Sequence, residues 1–528
     1  MPRSKRTHSS ARPSVGIIGA GPGGLSTAVL LAARGADVTV YESQDTVGGR
    51  TARITLDRSP DGAPVGPYHF DRGPTFFMMP YVLEEVFTAA GRKLSDYAEL
   101  RELDPMYRLM MGREGQSPVV LDTTRDLDLM AERLGAIDAS DGLSFRKFID
   151  DNRAKLDAFE PVLRSPMRTP MDLVNLETMG SLPHLNPHLT VHSMLGRYFN
   201  HPLVKLAVCF QSKYLGMSPY ECPSLFTILP FIEYEYGIWH PVGGCNALMQ
   251  AMAELTEELG GAIRTSSPVD EVVFDGKRAA GVMTKGEVRA HDYVVCNADA
   301  TWAMKNLIPE HLRTNGHSDG ALDDRRYSCS TYMLYLGVRG TVDLPHHTIY
   351  TSERYRENLD DIAVNGALSE DPSTYICNPV GVDPSLAPEG DSALYVLVPT
   401  PNLKADVDWS VEAPRMRERT MEQIRTKFGI EDIEERIQAE MQITPADWAG
   451  SNINFGATFN LAHNLTQMLH LRPQNKLKGF EGLFLTGGGT HPGSGLPTIF
   501  LSAQIAARLI GEEAGLPTFA AEPELAGV

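Results

Sequence analysis

The sequence predicts an α/β protein in two interwoven parts, one a βαβ frame and the other a mixed α+β body. Three observations support this. The chain has 528 residues, more than one small core organises. Residues 14–41 read as strand, glycine turn, helix and strand within about thirty residues. Far along the chain, from residue 482, a second apolar strand runs into a glycine-dense loop and a helix.

The elements follow in order. A polar start, Met1 to Pro13, carries Arg3, Lys5, Arg6 and Arg12 and reads as a disordered basic tail without the apolar run of a secretion signal. Ser14 to Ile18 is a strand, Leu25 to Ala33 a helix stopped by Gly35, and Asp37 to Tyr41 a second strand. Residues 125–160 have helical spacing. Residues 162–195 are rich in Met and Leu, with Pro166, Pro170, Pro183 and Pro187 interrupting any long helix. Ala247 to Leu259 reads as a helix ended by Gly260-Gly261, with strands at Val269 to Phe274 and Gly281 to Met283. Ile499 to Ile510 is a final helix, with Ala503, Ala506 and Ala507 on a close-packing face, and Gly511 to Val528 reads as a loose tail.

Composition excludes several function classes. Against 48 basic residues stand 67 acidic ones, a net charge of -19. Such a surface repels nucleic acid and anionic lipid. Six widely spaced cysteines without a CxxC pair point to reduced thiols in a cytoplasmic protein, with neither a disulfide frame nor a metal site. Apolar runs are broken by Gly, Pro or charge, so no transmembrane helix is expected and any membrane contact is peripheral, from one side.

Three motifs carry chemistry. Gly19-Ala20-Gly21-Pro22-Gly23-Gly24 fits GxGxxG between a strand and a helix. Its glycines permit a tight turn and close approach of a pyrophosphate to the helix N-terminus. Glu42, eighteen residues past Gly24 at the end of the next strand, suits a ribose hydroxyl. Gly48-Gly49-Arg50 follows; the glycines let backbone pass near a cofactor, and Arg50 can meet a diphosphate. This spacing favours FAD over NAD. In the third motif, Gly482 to Pro497, amides of the glycine loop can face a flavin and its ribityl chain. The helix after it aims a positive end at the flavin's pyrimidine side.

The front motifs resemble the large flavoprotein group of amine oxidases, protoporphyrinogen oxidase, carotenoid desaturases and Rab escort proteins. Gly489-Thr490-His491-Pro492-Gly493 followed by Gly495-Leu496-Pro497 narrows this, being similar to the C-terminal signature of bacterial phytoene desaturases. Gly237 to Gly244, Asn297-Ala298-Asp299, His346-His347-Thr348, Asp383 to Gly390, Tyr395 to Pro399 and Leu471-Arg472-Pro473 agree, so the resemblance spans about residues 14 to 510. Phe70-Asp71-Arg72-Gly73-Pro74-Thr75 with Met78-Met79-Pro80, and Tyr327 to Ser330, resemble the dehydrosqualene (diapophytoene) desaturases. Phytoene desaturases, carotenoid oxidases and retinol saturases are the neighbouring alternatives. A non-catalytic lipid escort on the same fold is the alternative of another class.

The resemblance implies a glutathione-reductase-type, Rossmann-like FAD domain from residues 14–105, 236–300 and 445–515. A substrate domain with a helical cap then takes residues 106–235 and 301–444, with a possible membrane-contact segment at 162–195, and 516–528 is a tail. It implies cofactor contacts by Gly19, Gly21, Pro22, Gly23, Gly24, Glu42, Gly48, Gly49, Arg50, Gly73, Pro74, Thr75, Val269 (by its backbone, at the adenine), Gly488, Gly489, Thr490, Gly495, Leu496 and Pro497. The reaction implied is removal of hydride and proton from a polyisoprenoid hydrocarbon, with oxygen or a quinone taking the electrons and an oligomer allowed. His491 is the candidate base, set against a structural histidine bonded to its own loop. His346 and His347 are read as bracing a turn.

Overall fold

The computed structural model describes residues 12–167, 169–173 and 186–518. Its nucleus is a five-stranded parallel sheet in the order Leu483–Leu485, Tyr293–Cys296, Ser14–Ile18, Asp37–Tyr41, Ala262–Arg264. Val15, Ile17, Val38, Val40, Val294, Val295 and Phe484 are buried. These strands are apolar on both faces because both are covered, as in parallel sheets generally. Helices Pro22–Ala33, Cys245–Glu258 and Leu496–Ala514 pack beside it in a shared apolar core. Parallel strands end at one edge, so Ile18, Tyr41, Cys296 and Leu485 deliver their following loops to the same side of the sheet.

A three-stranded antiparallel layer, Val269–Asp275, Arg278–Thr284 and Glu287–Ala290, lies beside the nucleus. The second large sheet has seven strands in the order Ile437–Ile443, Ser330–Val338, Ser392–Thr400, Thr374–Cys377, His347–Thr351, Arg108–Arg113, Gln116–Asp122. All its pairings are antiparallel except His347–Thr351 with Arg108–Arg113. Ser330–Val338, paired on both sides, is buried along its whole length.

Several boundaries differ from the sequence reading. The helical stretch at 125–160 is two helices, Leu127–Gly135 and Ala139–Leu163. Asp138 caps the second by accepting from the Ser140 and Asp141 amides. That helix runs on through Pro161, which offers no N–H to the Asp157 carbonyl, and ends two residues later at Leu163. The final helix begins at Leu496, where Pro497 in the first turn costs no hydrogen bond. It continues past Gly511 to Ala514, ending at Gly515 in the left-handed region (φ 67°). So the first residues assigned to the loose tail are helical, packed near Arg34.

Of the proposed membrane-contact segment, residues 168 and 174–185 lie outside the described residues, as do residues 1–11 and 519–528 of the two tails. Within the rest, Met167 is buried while Met171 is 73% exposed. Among the described residues no helix is long and apolar enough to cross a membrane. All six cysteines are free.

Candidate functional site

The strand Ser14–Ile18 turns into the helix Pro22–Ala33 through Gly19 at φ 94°, a backbone angle that suits glycine. Crowding explains the third glycine: a Cβ on Gly24 would stand 2.1 Å from the Gly19 carbonyl oxygen. Gly23 is also closely packed: a Cβ there would stand 2.6 Å from the Asn297 side-chain oxygen. No side chain caps the helix and no acid occupies its first turn, so its N-terminal amides remain available to an anion. Glu42 is buried (5% exposed); its Oε2 accepts from the Ala20 amide at 2.7 Å and Oε1 from the Gln44 amide at 2.9 Å. The acid thus lies directly against the glycine turn. Val269 opens its strand two residues after Ser267, whose amide donates to the Glu42 carbonyl at 2.7 Å.

Gly48 and Gly49 have φ of 121° and 57°, and the Gly48 amide donates to the Ala20 carbonyl at 2.8 Å. A Cβ on Gly49 would approach Gly21 Cα at 3.5 Å. The two glycine loops therefore form one cradle. Arg50 projects from it, donating to the Thr458 carbonyl at 2.7 Å and Asn460 Oδ1 at 3.1 Å. Burial lowers the Arg50 pKa, and among the described residues the guanidinium makes no ion pair. A partly buried cation bonded only to neutral oxygens beside an uncapped helix end suits a diphosphate. Gly73 joins the cradle too, since a Cβ there would lie 2.6 Å from the Arg50 carbonyl oxygen, and Pro74 and Thr75 follow.

The third loop, from Thr486, reaches the same edge. Gly487 has φ 104°, Gly488 packs on Asn460, and Gly489 on Ala300. Thr490 is buried; its hydroxyl donates to the Gly487 carbonyl at 2.7 Å and meets Ser502 Oγ at 2.9 Å. Gly495 (φ 110°) precedes the helix Leu496–Ala514, which also lacks a side-chain cap. Two uncapped helix ends thus meet one glycine cradle, and all three sequence motifs converge. The donors, the cation and the missing Cβ atoms fit FAD.

Other residues of the shared motifs brace this edge and its surroundings. Arg472 is buried (2% exposed) and donates to the carbonyls of Gly488 (2.7 Å), Thr490 (3.0 Å) and Leu461 (3.3 Å). Burial, with Arg325 adding to it, pushes its pKa down to about 9. Asp71 accepts from the Cys245 and Asn246 amides at 3.0 and 3.2 Å, capping the helix Cys245–Glu258. Burial pushes its pKa up to about 6. Arg72 lies over the Trp448 ring at 5.0 Å and donates to Ser451 Oγ at 2.6 Å, which gives that residue a packing role. Asn460, in the left-handed region at φ 64°, links Arg50 to Asp299. No sequence signal marked it.

Two histidine expectations change. His491 bonds to another segment rather than its own loop: Nε2 meets the carbonyls of Ser165 at 2.9 Å and Val162 at 3.3 Å. Carbonyls only accept, so Nε2 carries the proton. Burial lowers the ring's pKa to about 4, leaving it neutral. This geometry makes His491 a tie between the third loop and the long helix. His346 and His347 do not brace a turn. Both are buried, with His347 opening the strand His347–Thr351, and they join His240, Asp383 and Tyr375 in one polar line.

Comparison with known proteins now decides the family. Residues 22–511 match the family described as flavin containing amine oxidoreductase. The chain belongs to that family. It is 39% identical over 500 residues to a 4,4'-diapophytoene desaturase (4,4'-diapolycopene-forming) of a Methylomonas species, covering 94% of this chain and 95% of the relative. It is also 39% identical over 504 residues to the all-trans-zeta-carotene desaturase of Myxococcus xanthus, covering 94% and 93%. These relatives place the chain among the carotenoid desaturases, and it is an FAD-dependent oxidoreductase. The fold agrees with an oxidoreductase from Methanosarcina mazei, with a TM-score of 0.62 at 14% identity over 93% of this chain and 98% of that one.

Proposed function

We propose that the protein desaturates an acyclic carotenoid precursor of the diapophytoene type, building a conjugated polyene. The observation that carries this is the 39% identity to a diapophytoene desaturase across 94% of the chain. The three cofactor motifs, which meet at one sheet edge, support it. A forty-carbon substrate is the second reading, favoured by equal identity to the zeta-carotene desaturase.

When bound, FAD accepts a hydride from the substrate. In our reading the helix start at Pro22 and the amides of Gly23 and Gly24 hold the pyrophosphate, and Arg50 neutralises it. Glu42 exchanges its Ala20 contact for a ribose hydroxyl, and the Val269 backbone meets the adenine. The loop Gly488-Gly489-Thr490 and the helix start at Gly495-Leu496-Pro497 face the flavin ring. We assign residues 14–105, 236–300 and 445–515 to cofactor binding. The remaining body orients the hydrocarbon over the ring, where positioning supplies most of the rate. We further propose that the substrate is loaded from a bilayer surface, with the exposed Met171 region as the contact.

The test presents diapophytoene or phytoene in liposomes to purified, FAD-loaded protein without oxygen. Bleaching of the flavin by diapophytoene, with a conjugated product, is expected. Bleaching by neither hydrocarbon refutes the proposal, and bleaching by phytoene alone selects the second reading.

A further inference from the structure

We propose that a hydrogen-bonded line from Thr75 to Ser385 carries the proton released in desaturation from the buried site to the surface. The inference rests on the desaturase reading, which requires a proton to leave but names no acceptor.

Each member of the line lies within hydrogen-bond distance of the next, with His347 Nδ1 facing both of its neighbours and bonding to them in turn. Thr75 Oγ1 and the Tyr375 hydroxyl are 2.7 Å apart, and that hydroxyl lies 2.6 Å from His347 Nδ1. His347 Nδ1 is 3.3 Å from His346 Nδ1, and His346 Nε2 is 3.0 Å from His240 Nδ1. His240 Nε2 meets Asp383 Oδ2 at 3.1 Å, and the hydroxyl of exposed Ser385 donates to Asp383 Oδ1 at 2.6 Å. Thr75, His347, His346, His240 and Asp383 are all buried, so the line runs from interior to solvent.

Its inner end stands at the cofactor cradle. Thr75 is two residues past Gly73, which is pressed against the Arg50 carbonyl. Strand pairing of His347 with Cys377 and Ile349 with Tyr375 aligns the middle. Phe76 stacks on His347 at 4.0 Å and 11°, fixing that ring. A cavity of about 20 Å³ beside Thr75, His240, His346 and Cys377 has room for one water.

The proton positions follow from the outer end. Asp383 Oδ2 also accepts from the Gly243 amide at 2.6 Å, so His240 Nε2 is a donor and its Nδ1 an acceptor. His346 then donates from Nε2 and offers a lone pair at Nδ1 toward His347. Burial keeps His346 and His347 neutral, well below the usual imidazole pKa. His346 and His240 each accept a proton at one nitrogen and release another from the second, whereas His347, whose Nε2 has no bonded partner among the described residues, takes up and hands on the same proton at Nδ1.

The step balances. Hydride leaves one substrate carbon for FAD. On the adjacent carbon the C–H bond breaks, its electron pair forms the new double bond, and its proton goes to Thr75 Oγ1. The Thr75 hydroxyl proton moves to Tyr375, the phenol proton to His347 Nδ1, and from there to His346 Nδ1. His346 passes its Nε2 proton to His240 Nδ1, and His240 passes its own to Asp383 and through Ser385 to water. Burial alone would raise the Asp383 pKa. Bonds from His240, Ser385 and Gly243 outweigh it and hold the group below the usual carboxylate range, so it releases the proton outward.

His346, His347 and Cys377 also have ligand atoms within 4.8 Å of one another, the makings of a metal site. The 2.6 Å bond from His347 Nδ1 to Tyr375 and the unbroken path to Asp383 favour the proton line.

The test compares FAD-loaded protein with Tyr375→Phe and His346→Gln, using liposomal substrate, stopped-flow flavin bleaching and a pH-indicator dye. Flavin content and Tm report folding; should His346→Gln fail to fold, Tyr375→Phe carries the test. In the native protein, proton release coincides with bleaching. In the variants, bleaching slows at least about ten-fold and release lags behind it. Native rates with coincident release in the variants overturn the route alone. No bleaching of the native protein by any polyisoprenoid contradicts the desaturase reading itself. Without substrate, histidine side-chain ¹⁵N spectra of Tyr375→Phe are expected to change at His347, His346 and His240 together. A change confined to His347 overturns the continuity. One zinc per native chain, lost in His346→Gln, overturns the proposal in favour of a metal site.

Discussion

The Arg472 guanidinium donates to the Gly488 carbonyl at 2.7 Å from behind the third glycine loop. The same group holds the Thr490 carbonyl and, outside the loop, that of Leu461, so one buried cation fixes two carbonyls of a loop that needs its amides turned the other way and ties it to a neighbouring segment. Among the described residues it forms no ion pair.

Arg472→Met is therefore expected to leave three carbonyls unpaired, each costing about 1–3 kcal/mol when buried. The variant should lose Tm and most of its bound FAD. Arg472→Lys, with no fork of donors, should recover only part of both. Thermal unfolding and flavin absorbance of the purified variants check this. Native FAD content in Arg472→Met would remove the loop-fixing role.

Glu42→Ala is expected to weaken FAD by roughly 10–150-fold, the loss of about 1.5–3 kcal/mol from bonds to a charged acceptor. Titration of stripped protein with FAD measures it. Gly24→Ala is harsher: a Cβ 2.1 Å from the Gly19 oxygen forces the turn open. No FAD binding is expected from that variant, with the seven-stranded body still folded by circular dichroism.

His491 yields a pH signature. Its folded pKa, about 4, lies below the ordinary imidazole value of 6.5. The unfolded chain therefore binds more protons between these values. The stability from this group is fully present above pH 6.5 and is lost as pH falls toward 4. His491→Gln keeps an N–H for the Ser165 carbonyl but cannot titrate. The Tm of the native protein minus that of His491→Gln should fall as pH drops from 7 to 4. The variant should still form product, because Nε2 is committed to carbonyls. Loss of turnover with flavin retained would restore His491 as the base.

Asp71 titrates in the opposite sense. Burial raises its folded pKa to about 6 from 3.8. The folded chain binds the extra proton, so this contribution is present below pH 3.8 and lost as pH rises through 6. The Tm of the native protein minus that of Asp71→Asn should therefore fall between pH 4 and 7. A flat difference would mean that Asp71 stays ionised in its cap.

What could be read from sequence is what local geometry demands. Gly19, Gly48 and Gly49 announce themselves because few other residues take their angles, and Glu42 because strand length fixes its distance from the turn. The histidine line was not readable. Thr75, His240, His347, Tyr375 and Asp383 are joined by strand register and loop packing across some three hundred positions. Arg472 was hidden for a related reason: its partners are carbonyls, which every residue carries. The role of His491 turned on a helix end at Val162 to Ser165, where proline spacing suggested only interruption.

The central claim is tested most directly by co-expressing the protein in a colourless bacterial host that makes either dehydrosqualene or phytoene, and extracting pigment. The account predicts yellow to red polyenes from the dehydrosqualene strain. No colour in either strain, from protein that still carries FAD, would contradict it.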